Sequence, residues 1–308
     1  MKSLSLRVPV QYVDPLNIVL IFATCGLAHL FPYHLLVFSY AVLGPAHYLT
    51  QISWLHDRKY FASSAAVMPI LTAFSLLLVI LFFVPNSHDG LYAAVTLGLA
   101  LGTALIFIVP PKENFRIMAV VATAIMLLLI TFSPKTALII ALLLPTVLHV
   151  FVFTAAFMWA GAMRSGKTVA YWSVIILVLC AATFLTRARD VSPHLAGILF
   201  FKPVVALLKD MLSISNATET QLFGFLSFAY TYHYLNWFSK VEVIRWDRIP
   251  KQRMYAIVLI YIAAIGIYAI SYTLGFLILL FLADLHVLLE FPLNMRTFAT
   301  IAGSKAPR

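Results

Sequence analysis

Residues 255–289 read YAIVLIYIAAIGIYAISYTLGFLILLFLADLHVLL. No lysine, arginine or glutamate interrupts them, and Asp284 and His286 are the only ionisable groups apart from tyrosines. A helix crosses the bilayer core with about 20 apolar residues. The run is therefore too long for one crossing, and it reads as two helices back to back. Ser271 and Gly275 lie near its middle, where a tight hairpin fits.

The rest of the chain agrees with this pair. Of the 308 residues, 63% are hydrophobic and 10% are charged, against about 25% charged in soluble proteins. The mean hydropathy is +0.98. No soluble core hides that much apolar surface, which excludes a soluble enzyme, a disordered chain and a secreted disulfide scaffold. Cys25 and Cys180 both lie in apolar runs, so we read them as buried small residues rather than a disulfide or a zinc site.

Outward from 255–289, ten segments are apolar enough to span: 15–32, 34–55, 62–84, 90–110, 115–133, 136–162, 168–186, 219–239, 253–272 and 274–294. The expected fold is all-α, a single polytopic membrane bundle over 1–308 with about ten transmembrane helices. The stretch 1–14 is short, polar and interrupted by Pro9, so we expect no cleavable signal. With the N-terminus inside, only Lys135, Arg187, Arg189, Lys202 and Lys209 of the 21 lysines and arginines fall outside. That asymmetry places both termini in the cytoplasm, and we expect the cytoplasmic (inner) membrane of a bacterium. The net charge of +10 thus follows topology, and no nucleic-acid partner is expected. This count needs 193–212 not to cross. Pro193 and Pro203 break that segment, and Lys202 and Lys209 are costly at mid-bilayer, so we read it as an interfacial or re-entrant piece.

Polar groups within spans are candidates for function. His47, His149, His233 and His286 fall on the second, sixth, eighth and tenth segments, all running from outside to inside. Each lies about 6–13 residues before its helix's inner end, which at about 1.5 Å per residue puts the four in one layer. Neutral imidazole suits iron, zinc and copper, so four at one depth point to a metal site with His47, His149, His233 and His286 as ligands. Core packing and proton relay are the alternatives. Glu290 stands four residues after His286 on the same helix face. It is a candidate to orient a ligand histidine, to bind metal itself, or to sit as an interfacial carboxylate. Gln51, four after His47, could act likewise. Asp284 points to another face and needs a partner inside the bundle. Tyr230, Tyr234 and Trp237 surround His233 and offer an apolar substrate wall or an aromatic belt. His29, His34, His56, His88 and His194 lie near span ends or loops. Gly44-Pro45 and Pro145 precede His47 and His149 closely, so both helices should bend there.

Four short segments carry a resemblance: GPAHYLTQ around His47, LPTVLHVF around His149, FAYTYHYLNWF around His233 and LADLHVLLE around His286. In order and content they resemble the Brp/Blh family of integral-membrane β-carotene 15,15′-oxygenases. The chain departs from that family in having Gln51 where an Asp is usual, and Trp237 where a second histidine is usual. The resemblance implies non-haem Fe(II) as cofactor, O2 as co-substrate and a lipid-soluble, carotenoid-like or other isoprenoid substrate, with 193–212 as a candidate lid. A transporter, a zinc-dependent lipid hydrolase using Glu290 as base, and a bis-histidine haem carrier are the competing classes. A retinal-binding protein is disfavoured because the last span lacks a lysine.

Overall fold

The computed structural model describes residues 8–58, 67–83, 91–108, 113–133, 143–186, 196–211 and 219–303. Every regular element among them is helical. In chain order these are α1 (Val10–Leu30), α2 (Pro32–Arg58), α3 (Val67–Phe83), α4 (Leu91–Ile108), α5 (Glu113–Phe132), α6 (Pro145–Ser165) and α7 (Thr168–Thr183). A 3-10 turn at Ala196–Phe200 follows, then α8 (Lys202–Met211), α9 (Glu219–Ser239), the short α10 (Val241–Ile244), α11 (Lys251–Ile270) and α12 (Tyr272–Ile301).

Five of these helices, α1, α2, α6, α11 and α12, are long and apolar enough to cross a membrane. Shorter apolar stretches lie in α3, α4, α5 and α7, over Val67–Leu81, Leu91–Ile106, Ile117–Phe132 and Thr168–Thr183. The outer surfaces suit lipid. On α11, Tyr255, Leu259, Ile262 and Ile270 are all exposed, as expected of side chains that meet hydrocarbon rather than water. The apolar run 255–289 parts at Ser271, which is extended and whose hydroxyl accepts the Leu274 N–H, an N-cap for α12. The two helices then close on each other at Gly275, where a Cβ would meet the Tyr268 ring at 2.5 Å.

The helix α9 is the axis of the bundle. Nearly all of its residues are buried, so its many tyrosines, threonines and histidine never face lipid. One apolar cluster packs α2, α8 and α12 around it, and another packs α1, α6 and α7 on its other side. A further cluster joins α2, α3, α4 and α12.

Two helices depart from α geometry where the sequence puts proline. Ser39–Leu43 of α2 is a π turn directly before Gly44-Pro45. In α6, Leu144–Phe153 is π-helical from Pro145 onward, with His149 in its middle. Proline removes a backbone donor, and π turns take up such faults, often beside functional residues.

The described part of 193–212 folds as the 3-10 turn and α8. Val204, Val205, Leu207 and Leu208 are buried while Lys202, Lys209 and Asp210 are exposed. At about 1.5 Å per residue, α8 reaches about half the roughly 30 Å hydrocarbon core.

Candidate metal centre

Four helices each deliver one histidine to the bundle interior: His47 from α2, His149 from α6, His233 from α9 and His286 from α12. All are buried, with exposures of 0%, 2%, 7% and 3%. One ring nitrogen from each lies within 4.8 Å of the others. The Nε2 atoms of His149 and His286 are 3.0 Å apart, and those of His233 and His47 are 3.1 Å apart.

The outward-facing nitrogens define the proton positions. His286 Nδ1 faces the Leu282 carbonyl at 3.3 Å. A carbonyl only accepts, so Nδ1 carries the proton and Nε2 turns a lone pair inward. His233 Nδ1 lies 2.7 Å from Thr154 Oγ1, and His149 Nδ1 lies 3.7 Å from Glu290 Oε2. The Nε2 pairs at 3.0 and 3.1 Å can each share one proton, which a bound cation would replace with lone pairs from all four rings. The four nitrogens are close enough together for His47, His149, His233 and His286 to hold one ion. A buried, neutral, all-imidazole donor set suits a transition metal ion, and the group could hold one.

The sequence reading linked Glu290 to His286 of its own helix. The structure instead puts its carboxylate behind His149 of α6, where Gln51 Nε2 donates to Oε2 at 2.6 Å. Gln51 and Glu290 thus form one unit spanning α2 and α12. Glu290 is on the outer side of a candidate ligand, the place of a group that orients an imidazole.

Tyr48 and Thr154 were not marked in the sequence. The Tyr48 ring stacks on His286 with centroids 4.4 Å apart, and the Tyr48 and Tyr234 hydroxyls are 2.8 Å apart. Gly44 permits this, since a Cβ there would lie 2.9 Å from the Tyr48 hydroxyl. The signal for Thr154 is absent from local sequence, because its partner His233 is on another helix.

Two cavities flank the histidine layer and share no lining residue. The first, about 500 Å³, is mostly apolar and reaches His149 and His286. Tyr230 and Tyr234 line it, as do Tyr40, Tyr48, Phe276 and Asp284. The second, about 490 Å³, reaches His47, His233, Gln51 and Glu290. Trp237 belongs to this second cavity rather than beside Tyr230 and Tyr234. Its ring meets His47 edge-on at 5.6 Å, and its N–H donates to Thr50 Oγ1 at 3.0 Å. In each of the four helices, residues lining the first cavity extend at most one position past the histidine. Those lining the second start at the histidine or after it. The cavities are therefore stacked along the bundle with the histidines between them. At the outer end of the second, burial pulls the Lys240 ammonium down to about 8, with Asp14 acting the other way.

The remaining histidines stand apart. His29 meets Thr183 and stacks on Phe184, His34 is exposed, and His56 is exposed beside Asp57. His88 and His194 lie outside the described residues. Comparison with protein-family models, with curated proteins and with solved structures gives no match.

Proposed function

We propose that this chain is a membrane-embedded non-haem iron oxygenase acting on a lipid-soluble, isoprenoid-like substrate, with Fe(II) held by His47, His149, His233 and His286. The observation that carries the reading is the convergence of four buried imidazoles beside a largely apolar cavity of about 500 Å³. The four-segment resemblance to the Brp/Blh oxygenases supports the metal and the substrate class. When bound, Fe(II) supplies the capacity to activate O2.

The chain's own residues do the rest. Tyr230, Tyr234 and Phe276 offer faces for an apolar, unsaturated chain, and the cavity wall brings that chain against His149 and His286. The Leu282 carbonyl keeps the proton of His286 on Nδ1, so its Nε2 presents a lone pair inward, and the Glu290 carboxylate stands on the outer side of His149. Glu290 as the base of a zinc hydrolase is less favoured, because its carboxylate lies behind a ligand histidine.

The topology belongs to the same proposal. All ten apolar segments cross the bilayer, both termini are cytoplasmic, and the membrane is the cytoplasmic membrane of a bacterium. The lysine and arginine asymmetry supports this arrangement.

The test is metal content of the detergent-purified chain by plasma mass spectrometry, with an optical spectrum of the same sample. Iron in about equal amount to protein without a haem Soret band, together with O2-dependent consumption of a carotenoid or shorter isoprenoid, is the expected result. Zinc as the tightly held metal, or no binding after anaerobic loading with Fe(II), overturns it.

A further inference from the structure

The apolar cavity accounts for a lipid substrate and leaves the second cavity unexplained. That cavity has three features a passive gap lacks. Its wall carries Arg58, Arg164, Lys167 and Lys240 against Asp14 and Glu290, an excess of positive charge that draws anions. Its inner end is built from buried polar atoms that no group among the described residues satisfies: His47 Nδ1, Gln51 Oε1 and Asn236 Oδ1. Its volume, about 490 Å³, falls within the range of small-molecule sites, about 300–1,000 Å³.

We propose that this cavity is a binding site for a small anion, bearing a carboxylate or phosphate group, that approaches the histidine layer from the face opposite the apolar cavity. The acid group lies among Arg164, Lys167 and Lys240, while Arg58 is partly engaged by the Ile244 carbonyl. His47 turns Nε2 toward the other histidines, so its Nδ1 faces away from them and is free to hydrogen-bond the ligand or a water the ligand holds. The free amide oxygens of Gln51 and Asn236 accept from water or from a ligand hydroxyl. Positive charge at a cytoplasmic membrane face is common in itself. That rule does not explain a cavity reaching the histidines, nor three unsatisfied buried polar atoms at its inner end. The inference needs the histidine layer and its two cavities, and it stands whether or not the oxygenase reading holds.

Thiol modification tests it in the full chain, in discs of zwitterionic phosphatidylcholine. With Cys25 and Cys180 changed to Ala, Thr297→Cys places one near-isosteric thiol in the cavity wall. Anionic sulfonatoethyl and cationic trimethylammonioethyl methanethiosulfonates are compared, each normalised to its rate with free cysteine. The expected normalised rate is about tenfold or more higher for the anion. Arg164→Gln with Lys240→Gln brings the ratio back toward one, and millimolar inorganic phosphate slows the reaction. Protection by phosphate assigns the site to a soluble anion. Protection only when phosphatidylglycerol is added to the disc assigns it to a lipid headgroup, and either supports an anion site. A ratio at or below one, no reaction with either reagent, or no protection by either anion overturns the proposal. Should Thr297→Cys fail to fold, Gly161→Cys serves, since a Cβ there meets nothing within 4 Å.

Discussion

Glu290 of α12 stands behind His149 of α6, with Oε2 3.7 Å from Nδ1, and Gln51 of α2 holds the carboxylate there. One carboxylate thus ties three of the four histidine-bearing helices together without turning toward the cluster. Glu290→Gln keeps the shape and replaces the carboxylate that faces His149. Loss of such an orienting group lowers metal affinity by about 10–100-fold. Competitive metal titration checks this, and an unchanged affinity would mean that the pair is only structural.

Thr154 makes the corresponding contact for His233. Thr154→Val is nearly isosteric and leaves His233 Nδ1 buried without its hydrogen-bond partner, at a cost of about 1–3 kcal/mol. Thermal unfolding should show that loss and metal affinity should fall with it, while Thr154→Ser retains both. Equal behaviour of the Val and Ser variants would remove the hydrogen bond from the account.

At Gly44 the direction of the effect is informative. Glycine to alanine within a helix ordinarily stabilises by about 0.5–1 kcal/mol. Here the new methyl lies 2.9 Å from the Tyr48 hydroxyl and 3.3 Å from that of Tyr234, so Gly44→Ala should destabilise and displace the ring stacked on His286. Adding Tyr48→Phe should recover part of the loss, a coupling that a double-mutant cycle measures directly.

The proposed topology makes an independent prediction. Reporter fusions after 58 and at the C-terminal end should read cytoplasmic, and a fusion within 187–192 should read external. Any of the three on the opposite side would change the number of crossings and require a new assignment of the charge asymmetry.

Much of this was legible in the chain. Apolar length located most helix ends to within about five residues, with Glu219–Ser239 coinciding with its expected segment and the break falling at Ser271, while the last helix runs on to Ile301, well past the expected end at 294. Depth along a helix is set by residue number, so the common layer of His47, His149, His233 and His286 could be read before any packing was known. Azimuth and neighbours are not set that way. Glu290 was paired with His286 by i,i+4 spacing, yet packing of α6 against α12 gave it His149. Trp237 was grouped with Tyr230 and Tyr234 by proximity in sequence, yet successive turns of α9 face cavities on opposite sides of the histidines. Thr154 had no local signature because its bond spans 79 residues.

No helix contributes two of the four histidines. The donor set therefore exists only when α2, α6, α9 and α12 are packed against one another. Any change that loosens one of these helices from the bundle opens the cluster, so the spacing of the four rings is a direct gauge of tertiary assembly.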